Sequence, residues 1–273
     1  MITCAYTICK NELQFVEKWL FYTKQYTYRA ILDTGSDDDT YEALIKAKES
    51  DPNLIVEQKT FTPWRFDVAR KYNLSMVPSD TQWCLSPDLD EYFSINTLTE
   101  MQKTISQHPE VTNISCDRLD LYSDVVRVGP PHTLGTNKIH RYGDYTWSQP
   151  IYEHLSWIHK DRPEVEMYND NIYLIHDQDF KKQSRPELYI KMLTEEYQNN
   201  PTNDWCLWFL VNHYYREKDM INFIKTGCDY VKCAKEQNKR HEVAKELFNI
   251  HNHVTDLTTE LKTLIANTLE LNR

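Results

Sequence analysis

The sharpest concentration of chemistry-bearing side chains is Asp88-Leu89-Asp90-Glu91, directly after the apolar, strand-like residues 82–86. Side chains along an extended chain repeat every two residues, so Asp88 and Asp90 at a strand end are expected to point the same way. Two such carboxylates suit a hard divalent cation, Mg²⁺ or Mn²⁺, which takes oxygen ligands and shares its remaining positions with phosphate. The competing reading is a solvated acidic turn.

Apolar periodicity supplies the elements that must position this cluster. Residues 2–8 are β-branched and aromatic enough for a strand. Residues 11–25 bring Leu13, Val16, Trp19, Leu20 and Tyr22 to helical spacing, with Asn11 as the expected cap. Residues 29–33 read as a second strand, ending in Thr34-Gly35-Ser36-Asp37-Asp38-Asp39. A helix follows through Tyr41, Leu44, Ile45 and Ala47, then a strand at 54–57, a helix at 67–77 and the strand at 82–86. This alternation predicts a mostly parallel sheet covered by helices, with ligands at the carboxyl ends of its strands. Short β-rich pieces at 113–121, 125–128, 138–140 and 171–175, with turn signals such as Gly129-Pro130-Pro131, predict antiparallel strands added to the edge. From Pro186 onward the pattern is helical. Tyr189, Met192, Leu193 and Tyr197 share a face, and residues 205–215 are apolar nearly all round, as in a buried helix.

Composition limits the function classes. With 273 residues, 40% hydrophobic and 26% charged, the chain can fold around a full core. Its longest apolar run, residues 205–211, falls far short of the roughly twenty residues of a membrane helix. The first six residues carry no basic n-region, and the seven cysteines form no CxxC pair. Both features lead us to expect no secretory leader, free thiols and a cytoplasmic location. A net charge of −10 gives no global attraction to nucleic acid or anionic lipid. Five glycines include no G-x-G-x-x-G or Walker loop, and no G-x-S-x-G elbow is present.

Three motifs stand in order at the expected strand ends: Ile8-Cys9-Lys10-Asn11-Glu12, then Ile31-Leu32-Asp33-Thr34-Gly35-Ser36-Asp37-Asp38-Asp39-Thr40, then Asp88-Leu89-Asp90-Glu91. Together they resemble the family 2 glycosyltransferases of GT-A fold, whose pattern is KNE, D-T-G-S-x-D-x-T and D-x-D. The resemblance covers about residues 1–95 well and 137–180 more loosely. Trp64-Arg65-Phe66-Asp67-Val68-Ala69-Arg70 looks like a segment of the subgroup bearing an Asp-Thr-Gly-Ser turn, departing at Lys71 where that subgroup usually has Asn.

The resemblance implies an α/β fold of GT-A type over residues 1–185, Rossmann-like with a mixed sheet. An all-helical extension over 186–273, similar to tetratricopeptide hairpins, would follow. It implies metal-dependent, inverting transfer of a hexosyl or pentosyl group from a nucleotide-diphosphate sugar. The acceptor stays open between protein, glycan and modified nucleobase, and the acidic balance weakly disfavours a lipid-linked one. Donor binding falls to Tyr6, Asn11, Glu12, Asp33, Arg65, Arg70 and Asp88, with Asp33 as the nucleotide-contacting carboxylate or, alternatively, a turn residue. The cation falls to Asp88, Asp90 and His176, where it would neutralise the departing diphosphate as a Lewis acid. Arg65 and Arg70 can fork onto phosphate, or equally pair with Asp67 or the acidic loop. Lys181, Lys182 and Arg185 could cover the diphosphate from a lid, or form a solvated face.

Inverting transfer also needs a base beside the acceptor. The resembling subgroup has a tryptophan followed by Pro-x-His-Glu; here the stretch is Trp147-Ser148-Gln149-Pro150-Ile151-Tyr152-Glu153-His154. Glu153 keeps the glutamate, Tyr152 replaces the histidine, and Asp117, Asp120 and Glu91 remain alternative bases. A different class of function also stands: a catalytically weak domain that binds partners through its helical tail. Nucleotidyl transfer is disfavoured by the missing glycine-rich phosphate loop.

Overall fold

The strand Thr3–Cys9 (β1) is buried almost throughout because its two faces meet different cores. The computed structural model describes residues 1–122, 125–128 as backbone, 137–177, 186–254 and 256–270. Ala5 and Cys9 join Phe15, Trp19, Leu44 and Met101 on one side of the sheet. Cys4 and Tyr6 join Ala30, Val77 and Trp147 on the other. Burial on both faces is why this strand reads as an unbroken apolar run rather than an alternation.

Strands β2 (Tyr28–Asp33), β3 (Leu54–Gln58) and β4 (Trp83–Leu85) extend β1 in parallel, so Cys9, Asp33 and Leu85 end at the same edge. Helices α1 (Leu13–Thr23), α2 (Thr40–Glu49) and α3 (Phe66–Ser75) make the crossovers. The expected N-cap at Asn11 is not made. Glu12 occupies the cap position without capping the helix through its side chain, and Asn11 adopts a left-handed φ of 55°. Its amide is spent on Asp37 instead.

The rest of the sheet is mixed. Strands β5 (Glu91–Phe93), β6 (Asn113–Tyr122), β7 (Val125–Val128), β8 (Ile139–Arg141) and β11 (Glu166–Asp177) complete the order β3-β2-β1-β4-β8-β6-β11-β5, with β7 on β6. The edge is not wholly antiparallel as expected: β6 and β11 pair in parallel, because the long intervening excursion returns the chain in the same direction. That excursion contains a separate hairpin, β9 (Tyr145–Ser148) with β10 (His154–Trp157), which apolar patterning did not indicate. Helix α4 (Thr97–Gln107), also unanticipated, packs against β11.

Two compact units divide the chain, residues 1–148 with 152–183 and residues 149–151 with 184–273. The second contains α5 (Pro186–Asn199), α6 (Asp204–Arg216), α7 (Met220–Cys233), α8 (Gln237–His253) and α9 (Thr259–Leu269). Its core gathers Leu207, Val211, Phe223, Ile224, Val243, Leu247 and Ile265. Helix α6 is less enclosed than its composition suggests: Tyr215 is exposed on its outer face. Among the described residues no helix is long and apolar enough to cross a membrane. All seven cysteines are free thiols.

Candidate active site

The three parallel strand ends place residues 10–12, 34–39 and 86–90 along one edge of the sheet, where open α/β sheets bind ligands. Asp33 closes β2 with its carboxylate fully buried. One oxygen accepts from the Gly35 and Ser36 amides at 2.9 Å and from Gln58 Nε2 at 3.0 Å. The other accepts from the Ser36 hydroxyl. Burial pushes this carboxyl upward, but the Ser36 hydroxyl and amide, Gln58 and the Gly35 amide outweigh it and hold its pKa below the ordinary value. Asp33 thus shapes the turn with both oxygens. Asn11 clamps the far side through Asp37, its own amide donates to Ser36 Oγ at 2.9 Å, and the Glu12 amide donates to Thr40 Oγ1 at 2.9 Å.

Gly35 is required in this turn on two counts. Its φ of +103° is one that side chains disfavour, and a Cβ there would stand 2.6 Å from Thr60 Cγ2.

The acidic motif is a turn rather than a strand continuation. Glu91 N donates to Asp88 O at 2.9 Å, and Asp88 N donates to Glu91 Oε2 at 2.9 Å. The period-two expectation therefore lapses, and the two aspartates take different partners. Asp88 meets the Arg70 guanidinium with one oxygen and Lys138 Nζ, at 3.1 Å, with the other. Asp90 is buried and faces His176 Nε2 at 3.5 Å. Sheet register brings His176 there, pairing it with Glu91 of β5 and Asp120 of β6. Arg118 touches His176 Nδ1 and donates to Asp120 at 3.0 Å. Burial lowers the His176 pKa, but Asp90 opposes this strongly enough to leave it raised.

Arg70 ties this turn to the β9–β10 hairpin. Its Nε donates to Glu153 Oε1 at 2.6 Å while its Nη2 holds Asp88. The guanidinium is buried 4.6 Å from the Trp147 ring centroid, and its Nη1 has no hydrogen-bond partner. Burial disfavours the charge, yet Asp88 and Glu153 raise the arginine's pKa. Arg65 forks onto Asp67, through Nε at 3.0 Å and Nη2 at 3.2 Å. Lys71, the departure from the resembling motif, is exposed and reaches the same Asp67.

Tyr6 lies in the core, fully buried. His140 Nδ1 lies 3.1 Å from the Arg141 carbonyl and so carries the proton, which leaves Nε2 to accept from the Tyr6 hydroxyl at 2.9 Å. That hydroxyl in turn accepts from Trp147 Nε1 at 2.9 Å. The donors Lys138, Arg118 and Gln58 were not anticipated. Lys138 directly precedes β8, Arg118 lies within β6 and Gln58 ends β3, and nothing local distinguishes them from solvated side chains. Lys181, Lys182 and Arg185 lie outside the described residues.

The donor set can be tested against a divalent cation. Ligands bonded at roughly 2.0–2.2 Å to one ion stand roughly 3.0–3.6 Å apart, which the Asp90–His176 separation of 3.5 Å matches. Among the described residues of this cluster, carboxylates outnumber permanent cations: Asp88, Asp90, Glu91, Asp120 and Glu153 against Arg70, Arg118 and Lys138. Asp90 and His176 fit; Asp88 fits once an ion pair is exchanged. Among the described residues no three His, Cys, Asp or Glu side chains form a metal cage by themselves, so further ligands have to come from water or phosphate.

The chain is similar to solved structures of Staphylococcus aureus TarS. Residues 1–349 of TarS in complex with UDP-GlcNAc match at a TM-score of 0.56 and 12% identity, covering 98% of this chain and 89% of that one. The same region in complex with UDP matches at 0.54 and 13%, covering 100% and 91%. The fold is that of the GT-A glycosyltransferases. A longer TarS chain matches at 0.55 and 14%, with 55% of its length covered. No family model matches, nor does any curated relative.

Proposed function

We propose that this chain is a metal-dependent, inverting glycosyltransferase that moves a sugar from a nucleotide-diphosphate donor to an acceptor of protein, glycan or modified-nucleobase type. The observation that carries the reading is the Arg70 bridge, in which a buried guanidinium joins a half-buried carboxylate of the acidic turn to Glu153. Transfer activity is assigned to residues 1–185, with 186–273 as a helical extension similar to tetratricopeptide hairpins.

Each residue has a role that its surroundings favour. The turn organised by Asp33, Asn11 and Glu12 forms the wall against which the nucleoside docks. Asp90 and His176, with Asp88, would hold Mn²⁺ or Mg²⁺. When bound, such an ion supplies Lewis-acid neutralisation of the departing diphosphate. The unpartnered Nη1 of Arg70 is a buried donor suited to a phosphate oxygen. Glu153 takes the acceptor proton with Oε2, since Oε1 is held by Arg70 and its orientation is thereby set.

The TarS complexes with UDP-GlcNAc and UDP make uridine nucleotides the first donors to test. The experiment incubates the full chain with UDP-GlcNAc, UDP-glucose or GDP-mannose, with Mn²⁺ or with chelator, and measures release of nucleoside diphosphate. Metal-dependent release from one donor supports the reading. Binding of every nucleotide without turnover of any would favour the binding-module alternative.

A further inference from the structure

Lys138 is a residue of this cluster to which the roles above give no part. Its ammonium lies 3.1 Å from Asp88 Oδ2 and against Glu91 Oε2, while Arg70 holds the other Asp88 oxygen. A divalent cation approaching Asp88 therefore meets two resident protein cations. Asp90 and His176 alone offer two ligands, too few to hold Mn²⁺ or Mg²⁺ firmly without phosphate oxygens.

We propose that Lys138 competes with the divalent cation for Asp88, occupying that carboxylate until a nucleotide diphosphate draws the ammonium away, so that metal and nucleotide bind together rather than singly. This rests on the reading of Asp88, Asp90 and His176 as the cation site. The diphosphate brings anionic oxygens that replace Asp88 as partner of Lys138, so one ion pair is exchanged for another, while Glu91 keeps the Asp88 amide at 2.9 Å and Arg118 at 3.8 Å. The main chain need not move. The Lys138 carbonyl accepts from Ser86 N at 2.8 Å, which pins the residue at the start of β8, while its four-carbon stem leaves the ammonium free to swing. Because coupling between two ligands is reciprocal, the nucleotide must tighten metal binding by the same factor as metal tightens nucleotide binding.

The test is calorimetric titration of the full chain with Mn²⁺, with and without UDP or GDP, for wild type, Lys138→Met and Lys138→Arg. Without nucleotide, Lys138→Met should bind Mn²⁺ at least about tenfold more tightly than wild type, since an adjacent like charge has been removed. Lys138→Arg keeps that charge and should stay within about threefold of wild type. The tightening by nucleotide should shrink in Lys138→Met by the same factor. Lys138→Gln replaces the methionine variant if thermal melting shows that one unfolded. Unchanged or weaker Mn²⁺ binding by the neutral variant, with wild type still binding Mn²⁺ beside nucleotide, overturns the role of Lys138 alone. Failure of wild type to bind Mn²⁺ even with nucleotide overturns the cation site and this inference together.

Discussion

Arg70 and Glu153 lie 83 positions apart in sequence, yet Arg70 Nε donates to Glu153 Oε1 across 2.6 Å. The same planar guanidinium holds Asp88, so the proposed base and the acidic turn share one rigid spacer. Trp147 backs that spacer at 4.6 Å, and Tyr6 with His140 fixes the tryptophan. A lysine at 70 carries a single point charge and cannot span both carboxylates in one fixed geometry.

Glu153→Gln separates chemistry from binding. Glutamine keeps an oxygen for Arg70 Nε but loses basicity, so turnover should fall by about 10² to 10⁴. Donor affinity should stay within a few-fold, because the Asp33 turn and the acidic loop are untouched. Steady-state kinetics beside nucleotide titration measures the two quantities. A parallel collapse of both would show Glu153 organising the donor site, and unchanged turnover would move the base to Asp117, Asp120 or Glu91.

Asp90→Asn tests the cation site. Asp90 is buried, contrary to the open acidic turn that its sequence context allows, and it faces His176. Asparagine matches its size and hydrogen-bonding reach, so unfolding free energy should change by no more than about 1 kcal/mol. Nucleotide diphosphate affinity should lose its dependence on Mn²⁺. Retained metal dependence in calorimetry would remove Asp90 from the ligand set.

What could be read from the sequence was local. Asp33, Gly35 and Ser36 form a turn whose hydrogen bonds span two or three residues, so residue types at fixed spacing disclose it. The alternation of β1 to β4 with their helices is equally local, and its apolar runs reflect burial on both faces. Lys138 and Arg118 reach the acidic turn through strand pairing with partners tens of residues away, and nothing in their own neighbourhoods encodes that register; His176 reaches it the same way and was expected only from the family resemblance. The β9–β10 hairpin was hidden for a similar reason. Its strands are four residues each, and burial alternates along β9 but not along β10.

Gly35→Ala should weaken both fold and nucleotide binding. The positive φ alone costs about 1 kcal/mol or more in a residue with a Cβ, and that atom would also press on Thr60 Cγ2. Adding Thr60→Ser removes the contacted methyl and should restore part of the loss, leaving the φ term. Urea unfolding of the single and double variants decides the point. Equal stability of Gly35→Ala and wild type would mean the turn relaxes at no cost.

His140 makes stability depend on pH in a defined window. It is fully buried, and burial lowers its pKa from 6.5 to about 4, against weaker opposition from the Arg141 carbonyl and Asp144. The unfolded chain therefore binds the proton more readily than the folded one between those values. The contribution is fully present above pH about 6.5 and is lost progressively as pH falls through about 4. Its size is on the order of 3 kcal/mol. Protonation also removes the lone pair that accepts from Tyr6, and with it the bond that seats Trp147 beneath Arg70. His140→Gln offers an oxygen to the same hydroxyl without titrating. Urea unfolding at intervals from pH 7.5 to 4 should show wild type losing stability faster than the variant, with the gap confined to that window. The remaining histidines and carboxylates are common to both chains and cancel in the difference. Parallel curves would mean that His140 takes up its proton in the folded state as easily as in water.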